Sequence, residues 1–121
     1  MDTQQTRRRS QRVSIFSNTH CELADLTKFG GKAYNLSTGG IALKTNYPIR
    51  VKEQITAELV VPKWDKPLRV EGKVVWRRFH EDSPGQEETL FTAGIIFLDL
   101  KEPSLTIIRD YIQSSDTSLV T

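Results

Sequence analysis

The sequence contains a single cysteine, Cys21, among its 121 residues. One thiol closes no internal disulfide, which fits a reducing compartment. It also excludes Cys-x-x-Cys redox pairs and multi-cysteine metal sites. No apolar stretch approaches the roughly 18 residues needed to span a bilayer. The N-terminus is polar and basic with no apolar segment behind it, so no signal peptide is expected. The expected location is therefore the cytoplasm, without membrane insertion. Histidine is almost as scarce as cysteine, and His20 and His80 lie far apart. His20 and Cys21 are neighbours, so on a strand they point to opposite faces and are poorly placed to share a metal. Gly30-Gly31-Lys32 resembles a phosphate loop only in part. It lacks the earlier glycine of that pattern and has Ala33 where a hydroxyl would hold magnesium. No motif supports a catalytic centre, so the chain is expected not to be an enzyme and to hold no metal or cofactor.

What the chain does have is charge in an unusual place. The formal net charge is +2. Arg7, Arg8, Arg9 and Arg12 sit in residues 1–12 against only Asp2, and the remainder is close to neutral. A general nucleic-acid binder spreads its cations over a face. A concentrated arm better fits a compact anionic ligand, or a solvated tail.

Past the arm, apolar residues alternate with polar ones. Val13 and Ile15 begin a strand, and a second short strand is expected through Cys21 and Leu23. Gly30-Gly31 is expected to mark a turn. Lys32 to Leu36 leads into the turn Ser37-Thr38-Gly39-Gly40, after which Ile41 and Leu43 share a face. Ile55, Ala57, Leu59 and Val61 alternate most clearly. Leu68, Val70, Val74 and Trp76 are expected on one buried face, which assigns Trp76 to the core. Trp64, in a proline-bounded loop, is open between a lid, a contact and a packing plug. Residues 80–88 are polar and expected to form a solvated loop. A last strand covers about 90–98, with Phe91, Ala93, Ile95 and Phe97 on one face. Leu105, Ile108, Tyr111 and Ile112 then fall at helical spacing. Pro103 places the start of that helix near residues 100–102, and the helix is expected to end near Gln113. Several short strands followed by one helix favour a small antiparallel barrel or strongly twisted sheet.

Two elements stand out from this background. One is Arg8-x-x-x-Arg12, immediately before a strand. The other is Asn35-x-Ser37-x-x-Gly40, at a turn between strands. In this order and separation they resemble the paired signature of PilZ domains. Residues 70–77, Val-Glu-Gly-Lys-Val-Val-Trp-Arg, resemble the family's central strand. Residues 93–100, Ala-Gly-Ile-Ile-Phe-Leu-Asp-Leu, resemble its late strand leading into a terminal helix. The resemblance covers about residues 7–112. It implies a mostly-β fold, a six-stranded antiparallel β-barrel with a C-terminal α-helix. It divides the chain into a ligand-binding arm (1–12), the barrel with its helix (13–113) and a frayed tail (114–121).

The resemblance also implies a ligand, the second messenger cyclic di-GMP, and a binding set of Arg7, Arg8, Arg12, Asn35, Ser37 and Gly40. The residue types suit it. An arginine fork grips a phosphate through two hydrogen bonds, meets guanine O6 and N7, or lies flat on a base. The Asn35 amide can both donate to and accept from a guanine edge. Ser37 offers a hydroxyl, and Gly40 allows close approach. Each residue also has an ordinary reading: a solubilising arm, an Asx turn, a turn hydroxyl, a turn glycine. The implied function is a receptor that signals by ordering its arm and so altering a surface for a protein partner. A PilZ-like adaptor without nucleotide affinity is the alternative, and a small nucleic-acid binder is a more distant one.

Overall fold

The computed structural model describes residues 12–80 and 90–120, with side chains through Ser115. Six antiparallel strands close a barrel: β1 (Val13–Leu23), β2 (Lys28–Leu36), β3 (Gly40–Thr45), β4 (Gln54–Leu59), β5 (Leu68–His80) and β6 (Leu90–Phe97). Their order around the barrel is β1-β2-β3-β6-β5-β4, with β4 returning to β1. A helix, α1 (Ser104–Val120), follows. This is the mostly-β architecture that the family resemblance implies.

The inner face follows the alternation of the sequence. Val13, Ile15, Cys21 and Leu23 of β1 point inward, as do Ile55, Ala57 and Leu59 of β4. The β1–β4 ladder, from Thr19 opposite Leu59 to Leu23 opposite Ile55, closes the sheet on itself. Inward polar groups are satisfied locally. The buried Ser17 hydroxyl accepts from the Val60 N–H at 3.0 Å, and the Thr19 hydroxyl donates to the Ser17 carbonyl at 3.2 Å.

Two strand boundaries differ from the sequence expectation. Val13 to Leu23 is one strand, because Ser17 and Thr19 continue its inward face despite their polarity. The turn after it lies at Ala24–Thr27, and Gly30-Gly31 is inside β2. Asp25 makes that turn: its carboxylate accepts the Thr27 N–H at 3.0 Å, and Leu26 adopts φ 73°. The same Thr27 contacts hold the Asp25 carboxyl below its usual pKa. Gly31 serves packing instead. A Cβ there would lie 2.7 Å from the Lys44 carbonyl oxygen on β3.

Helix α1 seats Ile108 and Ile112 in the barrel core. It begins at Ser104, a little later than the sequence suggests. Its end also differs from expectation, since it continues past Gln113. Glu102 supplies the N-terminal partner: its carboxylate accepts the Thr106 N–H at 3.1 Å and also the Thr106 hydroxyl. Asp99 instead bends the chain, at φ 55°. The Tyr111 hydroxyl donates to the Ser14 carbonyl at 3.2 Å, tying the helix to the first residues of β1. No helix among the described residues is long and apolar enough to cross a membrane.

Candidate functional site

The register of four ladders sets one row of residues across the outside of the barrel. Ser14 on β1 stands opposite Asn35 on β2, and Asn35 stands opposite Ala42 on β3. Ala42 pairs with Gly94 on β6, and Gly94 pairs with Trp76 on β5. From Asn35 to Trp76 the row dips at the small Ala42 and Gly94, a shallow trough that the Trp76 indole partly covers. Three strand spacings separate Asn35 from Trp76, about 14 Å at the usual 4.7–4.9 Å per step.

Trp76 reaches this outer face because of a β-bulge. The β5–β6 register shifts between Val74 and Trp76. Val74 is fully buried, while Val75 and Trp76 are both exposed, Trp76 by 38%. One extra residue reverses the alternation of everything after it. The expected placement of Trp76 in the core is therefore wrong. Its indole lies flat over Gly94, where a Cβ would come within 2.0 Å of Nε1.

A cavity of about 140 Å³ opens against the trough, and Arg12, Ser37, Gly40, Trp76 and Gly94 are among its lining residues. Thus Arg12 meets the Ser37–Gly40 turn, about 25 residues further along the sequence, at one place. Asn35 is on the adjoining row but not in the cavity wall. Its side-chain amide is half-buried and has no hydrogen-bond partner among the described residues. Arg7 and Arg8 lie outside the described residues.

Ser37 and Gly40 hold the turn that shapes this cavity. The buried Ser37 hydroxyl oxygen accepts the N–H groups of Gly39 and Gly40, at 3.0 and 3.2 Å. The Ser37 N–H donates to the Gly40 carbonyl at 2.9 Å, and the Gly39 carbonyl accepts the Phe97 N–H at 2.8 Å. A Cβ on Gly40 would lie 2.0 Å from the Ile95 carbonyl oxygen. Gly40 is therefore required by the close approach of β3 to β6, and Ser37 by the turn that leads into it.

Larger depressions lie elsewhere. One of about 270 Å³ runs between Trp64 and Tyr111, and one of about 500 Å³ borders His20, Glu58 and Arg69. Neither gathers the residues of the two sequence motifs, and volume alone does not make chemistry. His80 ends β5 and bonds Thr92 at 2.7 Å, so it belongs to the strand and not to the loop expected from residue 80 onward.

A family model for the PilZ domain matches residues 6–114. The chain belongs to the PilZ domain family. Solved structures agree on the PilZ fold. The PilZ domain of YcgR from Escherichia coli, with c-di-GMP, has a TM-score of 0.69 at 18% identity, covering 93% of this chain and 94% of that one. The Bacillus subtilis inhibitor of motility MotI/DgrA has a TM-score of 0.68 at 15% identity, covering 90% of this chain and 51% of that one. The MrkH–c-di-GMP complex of K. pneumonia has a TM-score of 0.70 at 13% identity, covering 92% and 53%. A search of curated proteins finds no significant match.

In this PilZ domain an aromatic residue of the cavity wall that the motifs did not name is Trp76. The sequence carried a signal for it. Val74-Val75-Trp76 is an apolar run that breaks strict alternation, and such a break inside a strand is what a bulge produces.

Proposed function

We propose that this PilZ domain is a non-enzymatic cytoplasmic receptor for cyclic di-GMP, bound at the trough between Asn35 and Trp76. The observation that carries the reading is the meeting of Arg12, the Ser37–Gly40 turn and the exposed Trp76 at one cavity. The Trp76 ring offers a face on which a guanine stacks. The Asn35 amide, without a partner among the described residues, offers a donor and an acceptor to a guanine edge. Arg12, with Arg7 and Arg8 from the preceding arm, supplies forks for the two phosphates. Ser37 and Gly40 act mainly through the turn, by keeping the cavity open. Two of the structural neighbours are described as complexes with c-di-GMP, which is the ligand expected from the paired motifs.

Output follows from the arm. Four like charges within residues 1–12 repel one another, and a dianion at the trough gives them a place to converge. Ordering the arm over the ligand would change the surface presented to a protein partner. Titration calorimetry tests the reading, with cyclic di-GMP compared against GMP and a mixed-sequence oligonucleotide. Tight binding of cyclic di-GMP alone is expected. No heat with cyclic di-GMP would leave an adaptor without nucleotide affinity, and preference for the oligonucleotide would point to nucleic acid.

A further inference from the structure

A second outward row runs beside the trough, two residues along from Ala42, Gly94 and Trp76. Asn18 stands opposite Lys32, Lys32 opposite Lys44, Lys44 opposite Thr92, and Thr92 opposite Arg78. Lys32, Lys44 and Arg78 are all exposed. Like charges placed directly opposite on a ladder destabilise it. No carboxylate among the described residues offsets that here. The row has no carboxylate, and the ion pairs Arg69–Glu58 and Lys101–Asp99 involve none of its residues. The Lys44 ammonium sits 5.1 Å from the centre of the Tyr34 ring, which positions the charge without neutralising it.

An aromatic side chain lies at one end of this belt. Phe16, on the outer face of β1, is 86% exposed. It borders a depression of about 200 Å³ together with Ser17, Asn18 and Lys32. A phenyl ring left in water and a lysine pair with no facing carboxylate among the described residues are two separate costs. A single event relieves both: coverage by a surface that carries carboxylates and an apolar group.

We propose that this face docks an acidic segment of a partner protein, with carboxylates on Lys32, Lys44 and Arg78 and an apolar side chain against Phe16. A buried aromatic anchor flanked by charge is how protein interfaces are built. A nucleic acid fits less well: proteins held by phosphates use roughly 6–10 such contacts, and this row offers far fewer cations. The belt does not depend on the nucleotide reading, and its test uses nucleotide-free protein.

The probes are a synthetic peptide of alternating glutamate and leucine, its lysine-for-glutamate counterpart, and a single-stranded oligonucleotide of about 12 nucleotides. Amide shifts are followed by NMR during titration. The acidic peptide is expected to move Phe16, Asn18, Lys32, Lys44 and Arg78, and the basic one to leave them still. The double change Lys32→Glu and Lys44→Glu should weaken the acidic peptide about tenfold or more, and Phe16→Ser should weaken it as well. Lys44→Glu alone places a carboxylate opposite Lys32, so thermal stability should rise while peptide binding falls. A purely structural role would move the two together. Shifts confined to another face, affinity unchanged by charge reversal, or tighter binding of the oligonucleotide at the belt would each overturn the proposal.

Discussion

The indole of Trp76 occupies the space that a side chain on Gly94 would need: a Cβ there would fall 2.0 Å from Nε1. The two residues face each other across the β5–β6 ladder, and the smallest residue lets the largest lie flat. Trp76 is held by this contact and still presents its outer face to solvent. In the proposed site that combination makes Trp76 a stacking platform whose orientation is set before any ligand arrives, which would lower the ordering cost of binding.

Trp76→Ala should therefore weaken cyclic di-GMP binding by about 1–3 kcal/mol, the usual value of base–aromatic stacking, and leave the fold intact because the ring is partly exposed. Gly94→Ala should weaken binding through a different route, by pushing the indole off its seat. Its signature is a changed tryptophan emission in the free protein. Calorimetry and fluorescence on both variants check this. Full affinity in Trp76→Ala would remove the platform from the site.

The glycines separate into required and replaceable ones. Gly40→Ala sets a methyl 2.0 Å from the Ile95 carbonyl oxygen, backbone that has little room to yield. A loss of about 1–3 kcal/mol or more is expected. At Gly30 the nearest atom to an added Cβ is the Thr19 carbonyl oxygen at 3.9 Å, an ordinary contact. Gly30→Ala should be neutral or stabilising by about 0.5–1 kcal/mol, since glycine weakens a strand interior. Urea unfolding of the pair reads the difference directly. Equal midpoints would mean the β3–β6 approach relaxes freely.

Arg8→Ala and Arg12→Ala should each cost about 1–3 kcal/mol of ligand affinity without unfolding the barrel. The same arm should gain amide protection on binding. Hydrogen exchange over residues 5–14, with and without saturating cyclic di-GMP, measures this against the strand from Gln54 to Leu59 as a control. Tight binding with unchanged exchange in the arm would move the signal to another element, with α1 the first to examine.

In the proposed site Asn35 is the residue expected to read the base. Cyclic di-AMP presents an amino donor where guanine has O6, so it should bind at least about tenfold more weakly. Asn35→Ala should shrink that ratio as well as the affinity. Competition titration with the two dinucleotides in wild type and variant tests it. An unchanged ratio in the variant would assign base reading elsewhere.

Burial pushes the Cys21 thiol from its ordinary 9.0 up to about 12. Its folded-state value is the raised one. The associated stability is therefore complete below pH 9 and is lost as pH climbs from there towards 12. The loss over that whole window is at most about 4 kcal/mol, from three units at 1.36 kcal/mol each. Cys21→Val should flatten the alkaline slope of stability measured by denaturant unfolding. Native Cys21 should also resist alkylation at pH 8 until the chain unfolds. Rapid alkylation of the folded protein would contradict its burial.

Some of this was present in the order of residues alone. Alternation in Ile55–Val61 and around Val13 marks the inner face, because a strand turns one side to the core whatever its neighbours are. Arg8-x-x-x-Arg12 and Asn35-x-Ser37-x-x-Gly40, in that order and separation, carry the resemblance to PilZ domains and with it the expectation of cyclic di-GMP. The rest depended on which strand lies beside which. Trp76 points outward because one bulge against β6 shifts the phase, and a bulge is a relation between two strands. Gly31 is a packing glycine because the Lys44 carbonyl sits over it, although in sequence it reads as half of a turn. Lys32 faces Lys44, and Asn35 faces Ala42, by register alone. Local chemistry follows from each residue and its immediate neighbours. Juxtaposition across a ladder follows from hydrogen bonds between distant segments, and these form only when the barrel closes.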